Sequence, residues 1–182
     1  DDSSFFLPAM KLPLPTPDAQ AFSDRLKQHI AADIADSGGW ISFARFMNLA
    51  LYAPGQGYYS GGAHKFGPAG DFITAPEISP LFARALAAQV VQVMALSAPQ
   101  IIEVGAGAGS LATDLLLELE RRGALPTSYA ILELSGELRE RQRQRIARDA
   151  AHLLERVTWL DRLPPHFDGL VLANELLDAL PI

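Results

Sequence analysis

The chain has 182 residues, 49% hydrophobic and 20% charged, and its 15 basic and 21 acidic residues give a formal net charge of −6. That length can bury a full core, the acidic balance argues against a general nucleic-acid binder, and no apolar run reaches the roughly 18–20 residues of a membrane span. Cysteine is absent, which excludes disulfides, thiolate metal sites and a cysteine nucleophile; His29, His64, His152 and His166 are too scattered to suggest a metal site.

Residues 1–18 read as an extended arm, because Pro8, Pro13, Pro15 and Pro17 cannot share one helix. A helix is predicted over 21–35, with Phe22, Leu26, Ile30 and Ile34 at intervals of four. Ser37-Gly38-Gly39 stops it, and Ser42 is placed to cap a second helix that runs to about residue 51. The stretch 53–76 is rich in Gly and Pro and carries Tyr58, Tyr59, His64, Phe66 and Phe72. A loop of this length inside a compact chain is either functional or a mobile linker, and the interleaved aromatics favour an ordered, functional one. Ser79-Pro80 opens a long apolar helix to about residue 96, so 19–98 is expected to form N-terminal helices plus this loop.

Residues 99–182 alternate strand and helix. Strands are expected at 101–104, 129–134, 157–160 and 167–173, with helices at 110–122 and 135–154 between them. The run Leu170-Val171-Leu172-Ala173 suits a central strand covered on both faces. Such alternation implies an α/β fold: a parallel sheet with helices on both sides. No internal repeat is present. The chain stops just after its fourth strand, so an incomplete domain is expected, with further strands beside that edge.

The densest signal is Glu103-Val104-Gly105-Ala106-Gly107-Ala108-Gly109, between an apolar strand and a helix. Glycines there let the chain turn sharply and let a ligand touch the main chain, at the strand ends where open α/β sheets bind ligands. The dinucleotide fingerprint requires Gly or Ala where this chain has Ser110. Glu103 would repel a pyrophosphate but suits a ligand with a positive amino group. Glu133, at the end of the second strand, can accept two hydrogen bonds from vicinal ribose hydroxyls. A nucleoside with a cationic, amino-acid-like tail meets both demands, and S-adenosylmethionine has that shape.

The acidic residue, the GxGxG turn and the acidic second strand end resemble the seven-stranded S-adenosylmethionine-dependent methyltransferases. Three further blocks resemble the MidA-like family: Gly57-Tyr58-Tyr59, the run from Gly70 to Ser79 containing Thr74-Ala75-Pro76-Glu77, and Asn174-Glu175-Leu176-Leu177-Asp178-Ala179-Leu180-Pro181. Mitochondrial members of that family are protein arginine methyltransferases needed to assemble respiratory complex I. The resemblance implies a Rossmann-like sheet whose first four strands run 3-2-1-4, and an S-adenosylmethionine cofactor. It also implies a protein substrate, with a cytoplasmic home if the source is bacterial and the mitochondrial matrix if it is eukaryotic.

In that frame Glu103, Gly105, Gly107, Gly109 and Glu133 are the primary cofactor candidates. Thr74 and Glu77 are placed to close over the methionine end, and Asp161 to meet the adenine edge, with Trp159 stacking nearby. Asn174, Glu175 and Asp178 follow the fourth strand, where the transferred methyl group would lie; the two carboxylates could hold a guanidinium fork. The arginines at 139, 141, 143, 145 and 148 read as a solvated helix face. Two rivals remain at this level: a non-catalytic assembly module retaining the fold, and a nucleotide-dependent oxidoreductase.

Overall fold

A computed structural model of the chain describes residues 14–60 and 74–182. Most of the Pro-rich arm and the middle of the glycine-rich segment, including Gly70–Ile73 of the second family block, lie outside the described residues. The chain divides into two compact units, Asp1–Gly62 with Pro181–Ile182, and Ala63–Leu180.

In the first unit α1 spans Pro17–Asp36 and α2 spans Phe43–Tyr52. Helix α1 begins earlier than the periodicity suggests. Thr16 caps it by accepting from Ala19 N at 3.3 Å, and Pro17, which has no N–H to lose, takes the first helical position. The last proline of the arm therefore opens a helix. Ser42 caps α2 as expected, accepting from Arg45 N at 3.2 Å. Arg45 grips the Asp33 carboxylate with two bonds of 3.0 and 2.6 Å, tying α2 to α1 and lowering the Asp33 pKa. Beyond α2 the chain folds back on the helix: Tyr58 N donates to Ala50 O and Tyr59 N to Leu51 O, at 2.8 and 2.7 Å. Gly57 is needed at this reversal, since a Cβ there would lie 2.6 Å from Ala53 N.

The second unit runs α3 (Ala75–Ile78), α4 (Leu81–Met94), β1 (Gln100–Val104), α5 (Ser110–Arg121), β2 (Ser128–Leu132) and α6 (Gly136–Asp149). A 3-10 turn (Ala151–Arg156), β3 (Val157–Leu160), β4 (Leu170–Leu172) and a last 3-10 turn (Leu177–Ala179) complete it. The four strands are parallel in the order β3-β2-β1-β4, the order the family resemblance implies. Ile101 lies opposite Tyr129 on one side and Leu170 on the other, and Tyr129 opposite Val157.

The pleat sends Ile101, Tyr129, Ile131, Val157 and Leu172 to one face. There they share a core with Ala87 and Val90 of α4, Leu111, Leu115 and Leu119 of α5, and Ile146 of α6. Helices α4, α5 and α6 of this unit thus pack on the same face, where helices on both were expected. On the second face Ile102 and Ala130 are buried, and a groove runs past them between the sheet and residues 161–167. Strand β4 is shorter than expected and is not covered on both faces: Val171 is 53% exposed. An apolar run alone does not show which face lacks a covering layer. Gly169 lets β4 enter close to β1, since a Cβ there would lie 2.4 Å from Gln100 O.

Candidate functional site

The carboxyl ends of the strands carry the candidate residues. Strand β1 delivers the chain into a turn in which Gly105, Gly107 and Gly109 have φ of 70°, 53° and 82°. Side chains are disfavoured in this left-handed region by about 1–2 kcal/mol per residue. The three glycines differ in their surroundings. A Cβ on Gly105 would lie 2.9 Å from Leu176 Cδ1, and one on Gly109 would lie 3.2 Å from Gln142 Cα. A Cβ on Gly107 would meet nothing within 4 Å. Gly109 thus lies tightly against the main chain of α6 and Gly105 against the flexible end of Leu176, while Gly107 leaves the main chain open to a ligand at the start of α5, where backbone N–H groups face outward. Gly109 N donates to Ala106 O at 2.8 Å, and Thr113 Oγ1 donates to Gly109 O at 2.7 Å, closing the turn.

Glu103 is 3% exposed and lies on the helix-covered face. Tyr129 Oη donates to its Oε2 at 2.6 Å. Burial pushes the Glu103 pKa from 4.5 to about 7, partly opposed by the tyrosine bond, and the buried Tyr129 pKa is driven well above 10. Tyr129 therefore stays a donor while Glu103 titrates near neutrality.

Glu133 follows the last residue of β2. Its carboxylate accepts from Ser135 N at 2.9 Å and from Gln142 Nε2 at 3.3 Å. Neither Glu103 nor Glu133 merely caps a strand in solvent. Arg139 joins the ends of β2 and β3, donating to Glu133 O at 2.5 Å, Leu160 O at 2.7 Å and Asp161 Oδ1 at 2.7 Å. Asp161 thus sits beside the Glu133 segment, with its side chain 86% exposed.

Thr74 occupies the cap position of α3 but makes no capping bond with its side chain. Glu77 accepts a hydrogen bond from Ser110 Oγ, and Arg145 Nη1 lies 3.6 Å from its other oxygen. A carboxylate at the start of α5 is also favoured by the helix dipole. Ser110, which breaks the dinucleotide fingerprint, is the residue that fastens Glu77 to the glycine turn.

After β4, Asn174 is half-buried while Glu175 and Asp178 are exposed. Glu175 has φ 50°, the one positive value at a non-glycine residue among those described. Such a conformation persists only where its surroundings impose it, and it is concentrated at functional sites. The adjacent Leu176 approaches Gly105 closely, as the hypothetical Cβ contact shows, so the loop after β4 reaches the start of the glycine turn.

The arginine run of α6 is not simply a solvated face. Besides Arg139 and Arg145, the Arg143 guanidinium lies 4.3 Å from the centre of the Trp159 ring, a cation–π contact that occupies one face of the indole. Periodicity also missed Gln142, which is fully buried among these arginines. The available signal was its position four residues before Ile146, the other buried residue of α6.

Residues 83–182 match the family described as "Putative S-adenosyl-L-methionine-dependent methyltransferase", and the chain belongs to that family. A mitochondrial protein arginine methyltransferase NDUFAF7 homolog of Drosophila melanogaster is 33% identical over 96% of this chain and 46% of its own length. Protein arginine methyltransferase NDUFAF7 of Mus musculus is 33% identical over 80% of this chain and 39% of its own. The chain therefore spans about half the length of these curated relatives or less. A crystal structure of a COG1565 superfamily member from Burkholderia thailandensis, bound to S-adenosyl-homocysteine, superposes with TM-score 0.86 at 52% identity, over 94% of this chain and 46% of that one.

Proposed function

We propose that this chain carries the S-adenosylmethionine site of a methyltransferase, and that the whole protein methylates an arginine side chain of a protein. The observation that carries the cofactor reading is the glycine turn, open at Gly107 and flanked by Glu103 and Glu133 at the ends of adjacent parallel strands. The Burkholderia relative bound to S-adenosyl-homocysteine supports the same reading. The acidic residue before the turn and Ser110 directly after it disfavour a dinucleotide, and with it the oxidoreductase.

In this reading Gly107 and its neighbours receive the ligand against the main chain, Glu133 accepts from the ribose hydroxyls, and Glu103 balances the ligand's ammonium charge. Thr74 and Glu77 flank the methionine end, and Asp161 the adenine edge. The cofactor supplies an electrophilic methyl group: a carbon–sulfur bond breaks as a carbon–nitrogen bond forms, and the nitrogen sheds a proton. Alignment of donor and acceptor is the protein's main contribution. Glu175 and Asp178 would hold the guanidinium and favour loss of its proton, with Asn174 positioning the acceptor or the methionine end.

The arginine acceptor draws support from the names of the curated relatives and from two carboxylates beside a strained backbone position. A part in respiratory complex I assembly, in the mitochondrial matrix for a eukaryotic protein, follows only from the family resemblance. The reading as an assembly module differs in turnover alone, since it too would retain cofactor binding.

Glu103 provides a pH test. Its folded pKa of about 7 lies above the ordinary 4.5, so between these values the folded chain holds a proton that the unfolded chain releases. Its contribution to stability is therefore full below pH 4.5 and declines as pH rises to about 7. Binding of an ammonium-bearing ligand should follow the opposite trend. S-adenosylhomocysteine affinity is expected to rise roughly five- to tenfold between about pH 6 and 7.5 as the carboxylate ionises, and Glu103→Gln should flatten that rise. Calorimetric titrations across this range would measure it; an equal rise in both proteins would remove Glu103 from the site.

A further inference from the structure

We infer that Gln142 is a positioning residue for the nucleoside site: anchored to the glycine turn and to Trp159, it fixes the aim of the Glu133 carboxylate before ligand arrives. The inference rests on the cofactor reading given above. Gln142 is fully buried on α6, yet both polar atoms of its amide are hydrogen-bonded. Its Nε2 donates to Gly107 O at 2.9 Å and to Glu133 Oε2 at 3.3 Å. Its Oε1 accepts from Trp159 Nε1 at 2.8 Å.

The chemistry of these partners fixes the amide's orientation. The indole N–H is only a donor and must face the amide oxygen, while the carbonyl and carboxylate are only acceptors and must face its two N–H bonds. A buried amide satisfied in this way admits one arrangement of its partners. One of them is the open glycine of the turn, another is the carboxylate proposed to hold the ribose, and the third is an indole clamped by Arg143 at 4.3 Å. Main-chain packing adds to the lock, since Gly109 lies against Gln142 so closely that a Cβ would come within 3.2 Å of its Cα. Ser135 N occupies the other Glu133 oxygen at 2.9 Å, so two donors from the α6 segment aim the carboxylate. Without the amide, Glu133 would keep its charge and lose part of its aim.

The test separates an effect transmitted through Glu133 from a general loss of structure. The full chain and its Gln142→Met variant are titrated with S-adenosylhomocysteine and with its 2′,3′-dideoxy analogue, which offers no ribose hydroxyls. The variant is expected to bind S-adenosylhomocysteine roughly tenfold more weakly, as for loss of a hydrogen bond to a charged group, and the analogue within about twofold of wild type. Gln142→Glu keeps the side-chain volume and the acceptor for Trp159 but places a carboxyl against Glu133. It should show the same selective loss and decides the matter if the methionine variant does not fold. Equal losses for both ligands, no loss for either, or unfolding of both variants would make Gln142 a core residue only and overturn the inference, leaving the cofactor reading intact. Failure of the wild type to bind S-adenosylhomocysteine would instead overturn the cofactor reading and this inference with it.

Discussion

Glu133→Ala is expected to weaken S-adenosylhomocysteine binding by roughly 10- to 150-fold. The estimate corresponds to about 1.5–3 kcal/mol for hydrogen bonds from neutral donors to a charged acceptor. The lost atoms include both acceptors proposed for the ribose. The substitution also leaves Ser135 N and the Gln142 amide without the acceptors that they now use at 2.9 and 3.3 Å. The half-buried position limits the damage to the fold, so calorimetry can be read beside thermal unfolding. Unchanged affinity would remove Glu133 from the site.

A second large effect is expected at the loop after β4, and it belongs to the whole protein. A guanidinium has a pKa above about 12 and a delocalised electron pair, so methyl transfer requires both orientation and loss of a proton. Glu175→Ala and Asp178→Ala should each lower turnover by roughly 10²-fold or more, the scale of lost general-base assistance, while cofactor affinity stays near that of the parent. Mass spectrometry of candidate proteins incubated with isotopically labelled S-adenosylmethionine measures this. Label on lysine, a small molecule or nucleic acid would reject the guanidinium and keep the methyltransferase. Loss of cofactor binding in both variants would assign these carboxylates to the donor site.

The alternation of strand and helix and the glycine turn were legible because their physics is local, whereas the strand order was implied only by the family resemblance. A short apolar strand, glycines that must turn and a helix with a periodic apolar face are each written in a few adjacent residues. Pro17 opens α1 instead of continuing the arm because a proline that breaks a helix interior is favoured at its first turn. The exposed Val171 was missed because an apolar run reports hydrophobicity, whereas cover depends on which layers the rest of the chain supplies. The polar network was hidden for a related reason. Gln142, Arg139 and Arg143 look like solvated residues on an arginine-rich helix, and their partners, Gly107, Leu160 and Trp159, lie far away in sequence. Glu103 was identified by its place before the turn, but its elevated pKa arises from burial and could not be seen in the residue type.

The central claim is that the glycine turn holds S-adenosylmethionine rather than a dinucleotide. Calorimetric titration of the chain with S-adenosylhomocysteine and, separately, with NAD tests this most directly, using Gly107→Val to locate the site: at φ 53° a branched side chain is strained, and it would fill space that is open to the ligand. Saturable binding of S-adenosylhomocysteine, abolished by Gly107→Val in a protein that still folds, with no binding of NAD, is the predicted result. Binding of NAD in its place, or S-adenosylhomocysteine binding untouched by the valine, would contradict it.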